Sequence, residues 1–409
     1  MATAPTRPRP RPAIEAGSSA RRFESRPPGV IERLGLAHMD PVLSAAAIGL
    51  ILFSILTLTV TTQGDVPGEP FFYVIRQSIY AVIGIALMVA LTRIDYSRFR
   101  ELRVGLYTAM ISSIILVLLL GAAARGSRRW IELPFFTFQP SELGKVLLIL
   151  ALAGFVIDRA RRVPEGQRTA RLLMLGLVPA ALVALQPDLG TAIVFVVVTL
   201  TILFVAGVRW THFAALGGIA VALATLVLVV APAVGVPLLK DYQQERLTSF
   251  LDRSEDASDS SYQINQALIA VGSGGKTGRG DEATQTQSGF LPERHTDFIF
   301  AVVGERFGFA GAALLLSLYA LLIWRALRLM TLSKNLYGSM LAGGIVAMLL
   351  FQVFVNVGMT VGVMPITGIP LPLMSYGGSS VLTTFIAIGL LQSIYVQAQR
   401  TSRGRASLY

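Results

Sequence analysis

"VLSAAAIGLILFSILTLTV", Val42 to Val60, runs for 19 residues without a charged side chain. A helix of ~20 apolar residues spans the ~30 Å hydrocarbon core of a bilayer, so this stretch reads as a membrane span. "TAIVFVVVTLTILFVAG", Thr191 to Gly207, carries the same signature. Working outward with one apolar-run criterion gives about ten segments, near 41–62, 71–92, 104–124, 140–158, 172–186, 190–207, 212–235, 297–324, 337–363 and 380–398. Lipid offers the backbone no hydrogen bonds, so each span must satisfy its own and should be helical. Composition agrees. Of 409 residues, 53% are hydrophobic and 14% charged, against about 25% charged in a soluble domain, and the mean hydropathy is +0.63. The expected fold is an all-α polytopic membrane protein of about ten transmembrane helices.

The formal charge of +11 raises nucleic acid as a partner, but the placement of the charges argues for topology instead. With the N-terminus in the cytoplasm and ten alternating spans, one side receives the arginines of 7–33, 93–103, 159–171 and 400–405, with Arg209, Arg325, Arg328 and Lys334. Roughly two-thirds of all Lys and Arg then lie inside, as the positive-inside rule expects. No nucleic-acid role is assigned. Residues 1–38 are Arg/Pro-rich without an apolar core and read as a disordered basic cytoplasmic tail. Residues 39–400 form the transmembrane domain, and 401–409 a second cytoplasmic tail. There is no cysteine, and the three histidines lack metal-ligand spacing.

One connection is long. Residues 236–296, between the seventh and eighth spans, form a large extracytoplasmic loop by this topology, and loops of that length are usually functional or disordered. It opens with the acid-rich "LDRSEDASDSSYQ", Leu251 to Gln263, and continues into "YQINQALIAVGSGG". Ile264, Leu268 and Ile269 in the latter have helical spacing and predict a short amphipathic helix on, or dipping into, the outer membrane face. A second unusual stretch is "GSRRWIELPFFTFQPSELGK", Gly126 to Lys145. Arg128 and Arg129 stand outside, against the charge bias, beside Trp130. That pairing points to an anionic ligand such as a phosphate, while Trp130 alone reads equally as an interfacial belt residue. Glu142 and Lys145, at i and i+3 within a span, are either functional or a buried structural ion pair. Arg76, Gln77, Glu305, Arg306 and Asn356 are further polar residues in apolar surroundings. Asp188 in "LQPDLGT" reads as a helix cap, and Ser379 or Ser380 after "GIPLPLMSYGG" as another.

"FQPSELGK", "QPDLGT", "FLPERHTDFIFAVVGERFG" and "PLPLMSYGGSS" occur in this order over the ten-span pattern. Together they resemble the SEDS family (shape, elongation, division and sporulation) of bacterial cell-wall proteins, from about Asp40 to Arg400. "FLPERHTDF" is more similar to the elongation branch, RodA, than to the division branch, FtsW. The resemblance implies an inverting peptidoglycan glycosyltransferase that polymerises lipid II on the outer face of the cytoplasmic membrane. It also implies a class B penicillin-binding protein as transpeptidase partner within the elongation machinery. Around the family's catalytic aspartate, Phe250, Leu251, Tyr262 and Gln263 match the flanks. The spacing implied by the family pattern makes Asp256 the catalytic residue, with Asp252 and Asp259 as alternatives because the intervening prolines and glycines are absent.

The chemistry explains why one carboxylate suffices. A GlcNAc 4-hydroxyl attacks the anomeric carbon of MurNAc and displaces a polyprenyl diphosphate. The hydroxyl profits from a general base, while diphosphate leaves without protonation by an acid. Cations must meet the charge on the diphosphate. Arg128, Arg129 and Lys145 are candidates by position, with Arg246 and Arg294 in the long loop and Arg76 and Glu142 as further substrate contacts. A divalent cation, Mg²⁺ or Mn²⁺, held by the acidic stretch is the alternative, with Asp256 as a metal ligand. Two other functions fit the same sequence, a lipid II flippase and a non-catalytic scaffold for the penicillin-binding protein.

Overall fold

The computed structural model describes residues 38–120, 122–124, 127–133, 136–159, 165–233, 259–287 and 289–406. The apolar runs form α1 Pro41–Thr61, α2 Phe72–Thr92, α3 Arg103–Leu120, α4 Pro140–Arg159, α5 Glu165–Leu185, α6 Leu189–Val205 and α7 Trp210–Ala233. A shorter α8, Asp259–Ser273, precedes α9 Ile299–Leu332, α10 Leu336–Thr360 and α11 Gly378–Ala406. Among the described residues nine of these are long and apolar enough to cross a membrane, and α6, with 17 residues, is a shorter tenth. Each of the ten expected segments contains one of these helices. The all-helical reading needs one addition. The third span stops at Leu120, and β1 Ala122–Ala124, β2 Ser127–Leu133 and β3 Phe136–Phe138 follow as an antiparallel β1-β2-β3 ribbon.

Burial divides the helices. In the most apolar stretch, 78% of α4 and of α11 and 72% of α10 is buried, whereas Trp210–Thr225 of α7 buries no residue. The bundle is therefore built around α4, α10 and α11, with α7 facing lipid. α2 lies on α11 at a distance that small residues set. A Cβ at Gly84 would stand 2.3 Å from the Phe385 ring, and one at Gly389 3.0 Å from the Met88 backbone. Asp40 accepts from the Val42 and Leu43 amides as the cap of α1, pairs with Arg325 of α9, and exchanges main-chain hydrogen bonds with Gln392 of α11. Asp188 caps α6 through the Thr191 amide at 3.1 Å, as its sequence context predicts.

The described part of the long connection folds onto the protein. Ile264, Ala267 and Ala270 of α8 pack against Phe298, Ala301 and Val302 at the start of α9. The expectation that this apolar face rests on the membrane is thus corrected: its best-buried partner is a neighbouring helix, and Ile269 alone of the three named positions stays largely exposed. α9 is broken at Gly308 (φ 64°, ψ −160°). The stretch 274–279 fills the break, with Phe309 N donating to Gly275 O at 2.9 Å, Ala310 N to Lys276 O at 3.0 Å, and Arg279 N to Glu305 O at 2.9 Å. Glu305 accepts from the Gln285 and Thr286 amides at 2.9 Å each, and Arg306 pairs with Asp281. The ionisable residues of the eighth predicted span therefore anchor the connection.

Gly278 sits at φ +86° with Arg306 O 2.1 Å from where its Cβ would be. Gly278→Ala is expected to destabilise the detergent-solubilised protein by about 2–4 kcal/mol through strain and backbone displacement. Gly217→Ala, on α7 with nothing within 4 Å, should melt at or above the wild-type temperature.

Candidate active site

The four sequence motifs meet at one end of the bundle. Gln139, ahead of α4, donates from its side chain to Asp188 at 3.1 Å, and its amide donates to the Ser379 hydroxyl at 2.9 Å. Ser379 in turn donates to Thr137 O at 3.0 Å. It lies in the first turn of α11 and ties that helix to β3, so the capping role read for it in sequence is replaced by a cross-link. Tyr376 N donates to His295 O at 2.8 Å, and the Ser375 hydroxyl donates to Thr296 O at 2.6 Å. Asn356 donates to both Asp297 O and Ile369 O at 2.9 Å. Gly190 has no room for a Cβ, because Thr367 O would lie 2.6 Å away. The two bonds of Ser379 join segments about 240 residues apart, and the set completes backbone groups that lipid would leave bare.

An aromatic and cationic patch lies on this platform. Tyr73 stacks at 4.6 Å from His295 and 4.8 Å from Tyr376, and Tyr80 adjoins Phe136 at 6.1 Å. Arg76, on α2, stands 4.1 Å over the Phe72 ring and near enough to the Tyr376 phenol to act on its ionisation. Burial pushes that phenol up to about 12, with Tyr80 adding to the rise and Arg76 opposing it. Tyr376 therefore remains a hydrogen-bond donor through the physiological range. Neither Tyr73, His295 nor Tyr376 was singled out from sequence, because nothing local marks tyrosines over 300 residues apart as one cluster.

The other candidates divide. Arg129 donates from Nε to Gln186 O at 3.0 Å and from Nη2 to Pro187 O, with Trp130 6.0 Å away. It thus holds the turn before α6 and satisfies carbonyls at a helix end. Arg128 and Trp130 lie on β2, opposite Ala123 and Ala122. Glu142 and Lys145 form a buried ion pair at 2.7 Å within α4, their side chains 3% and 2% exposed. This geometry is that of the structural alternative, since the ammonium is already neutralised. Arg294 pairs with Asp65 and donates to Thr286 O, bracing the α1–α2 turn against the long connection. Asp252, Asp256 and Arg246 lie outside the described residues, and Asp259 begins α8. Among the described residues no three His, Asp or Glu side chains gather as a metal site would.

Residues 38–400 match the family model of the cell cycle proteins FtsW, RodA and SpoVE. The chain belongs to this family. The peptidoglycan glycosyltransferase MrdB of Escherichia coli K12 is 36% identical over 367 residues, spanning 90% of this chain and 96% of that protein. Stage V sporulation protein E of Bacillus subtilis is 38% identical over 330 residues, 80% of this chain and 87% of that one. A chain from a peptidoglycan synthase complex, solved to explain the coordination of polymerization and crosslinking, superposes with a TM-score of 0.74 at 32% identity, covering 88% of this chain and 98% of its own. Thermus thermophilus RodA superposes at 0.62 with 30% identity, covering 87% and 96%. Family membership accounts for the convergence of the four motifs, which the hydrogen bonds above hold at one end.

Two measurements probe this end. Glu142→Ala would leave the Lys145 ammonium buried without its partner and is expected to cost about 3–5 kcal/mol, while the apolar pair Glu142→Leu with Lys145→Met recovers most of it. A double variant that melts like wild type yet no longer turns over would give the pair a role beyond packing. The Tyr376 phenol, raised from an ordinary value near 10, contributes stability that is complete below pH ~10 and lost as pH rises toward 12. In the alkaline difference spectrum at ~295 nm, the contribution removed by Tyr376→Phe should therefore appear near pH 12 and be absent near pH 10.

Proposed function

We propose that this protein polymerises lipid II into glycan strands during cell elongation, with Asp256 as the catalytic carboxylate. It is a peptidoglycan glycosyltransferase by family, and its multi-pass helical bundle matches those of the solved relatives. The observation that carries the reading is the gathering of all four motifs at one end of the bundle, next to Arg76 and Tyr376. The acid-rich stretch 251–259 belongs to the long connection in sequence, and its carboxylates are the ones this reading draws on.

In the proposed reaction the acceptor O4 forms a bond to C1 of the donor sugar as the bond from C1 to the diphosphate oxygen breaks. The hydroxyl proton passes to the Asp256 carboxylate, and the leaving diphosphate carries away the displaced electron pair. Arg76, with Tyr376 as a neutral donor beside it, is suited to the charge that develops on the diphosphate. Arg129 and Arg294 act one step back, since both already hold protein groups; they position the turn before α6 and the start of α9. If Asp256 instead ligates Mg²⁺ or Mn²⁺, the carboxylate oxygens of Asp252, Glu255 and Asp259 are its natural companions, and the ion would supply charge stabilisation for the diphosphate. We place this end outside the cytoplasmic membrane and both termini inside, on the charge bias of the connections. A class B penicillin-binding protein of the elongation machinery is the proposed partner, a reading supported by the likeness to a chain of a synthase complex that couples polymerization to crosslinking.

The test is lipid II polymerisation by the purified protein with its penicillin-binding partner, resolved by glycan chain length. Asp256→Ala should lower the rate by about 10²–10⁴-fold with the melting temperature unchanged. Full loss in Asp252→Ala or Asp259→Ala, with Asp256→Ala active, moves the site to that residue. Sensitivity to a chelator, restored by Mg²⁺ or Mn²⁺, selects the metal-ligand role. Unchanged polymerisation in all three variants ends the carboxylate mechanism. Lipid II crossing sealed vesicles without bond formation would make the protein a flippase, and neither activity would leave the scaffold.

A further inference from the structure

The end of the bundle opposite the candidate active site contains a cavity of about 670 Å³. It opens where the turn between α2 and α3, the end of α4, the first turn of α5 and the start of α10 meet. Three arginines line it, Arg100, Arg103 and Arg168, against two carboxylates, Glu101 and Asp158. Asp158 is already engaged: Arg100 reaches it at 3.0 Å, and Arg103 binds its other oxygen. Arg168 has no hydrogen-bond or ion-pair partner among the described residues, and its Nε is enclosed without an acceptor.

A guanidinium stays charged at any physiological pH and presents its donors in a planar fork that matches phosphate oxygens. Enclosing one of those donors without a protein acceptor is costly, and a phosphate oxygen is an acceptor suited to it. Arg168 lies in the first turn of α5, where the helix dipole also favours negative charge. Val156, Ile157 and Leu336, at the ends of membrane spans, give part of the wall an apolar surface, beside Ser97, Asn335 and Tyr337. An anion that brings its own apolar body fits this lining better than a solute does.

We propose that this cavity binds the phosphate of an anionic membrane phospholipid. Arg168 is its principal contact, Arg103 and Arg100 flank it while remaining held by Asp158, and the apolar wall receives the glycerol and upper acyl carbons. The site is independent of the glycosyltransferase reading and lies on the opposite side of the bundle from its chemistry. It makes the lipid a resident ligand of the fold, distinct from any lipid-linked substrate.

The experiment is a titration of the full-length protein, in zwitterionic nanodiscs, with fluorescent phosphatidylglycerol, alongside inorganic phosphate read by thermal shift. Arg168→Ala should weaken phosphatidylglycerol binding roughly tenfold or more, the loss of a charge-assisted contact, and Arg168→Lys should fall between it and wild type. Arg171→Ala removes the same charge from the exposed side of the same helix and should bind as wild type does. Equal weakening by Arg171→Ala would reduce the effect to diffuse attraction and overturn the site. Binding of phosphatidylglycerol unchanged in Arg168→Ala would overturn the lipid assignment, and a phosphate shift that alone depends on Arg168 would assign the cavity to a soluble phosphate instead. Because Arg168 has no protein partner to lose, the variants should fold normally, and a wild-type melting curve for each confirms that the binding change is local.

Discussion

A helix inside hydrocarbon has no water to complete an interrupted hydrogen-bond ladder, so the break of α9 at Gly308 demands partners of its own. Residues 274–279 supply them from the long connection, amide to carbonyl and carbonyl to amide. The exchange works only because Gly278 and Gly308 both lack a Cβ where the two backbones touch. Glu305 and Arg306 then tether the following turn through Thr286 and Asp281. The splice holds the start of α9, and the segment carrying Arg294 and His295 is fixed beside it by Asp65 and Tyr376.

The platform itself follows a division of labour among polar groups. Asn356, Ser375 and Ser379 donate to main-chain carbonyls of distant segments, while the Gln139 side chain donates to the Asp188 carboxylate. Charged groups at the same end mostly brace as well, with Arg129 on two carbonyls and Lys145 on Glu142. The chemistry proposed above falls to a small set, Arg76 with its aromatic surround and a carboxylate of the acid-rich stretch. A neutral tyrosine beside an arginine gives two donors of different charge in one place, an arrangement suited to a diphosphate whose oxygens change charge as it departs.

Much of the architecture was legible before any coordinates, because a span in lipid must be long, apolar and helical at once. The ten runs, the capping role of Asp188 and the ionisable character of the Glu142–Lys145 pair all follow from local pattern. Three features were not. Strands of three residues at β1 and β3 carry too little alternation to separate from a helix end. The apolar face of α8 has the same periodicity whether it meets lipid or α9, so its partner is a tertiary fact. The Arg76, Tyr73, His295 and Tyr376 grouping joins α2 to residues beyond 290, and no single stretch records it. Arg129 illustrates the same limit from the other side: paired with Arg128 it suggests an anion, yet the carbonyls of Gln186 and Pro187 are what it found.

α7 has no buried residue in Trp210–Thr225, and what fixes it lies at its beginning, where Trp210 and Phe213 pack with Phe204 and Arg209 pairs with Glu165. Its 24 residues would be about 36 Å long, more than a ~30 Å hydrocarbon core accommodates upright. Such a helix answers hydrophobic mismatch by tilting, and with one end pinned the tilt displaces the other. That other end hands the chain to residues 234–258, and so to Asp256. The thickness of the surrounding membrane thereby bears on where α7 ends, so for this helix the bilayer is a dimension as well as a solvent.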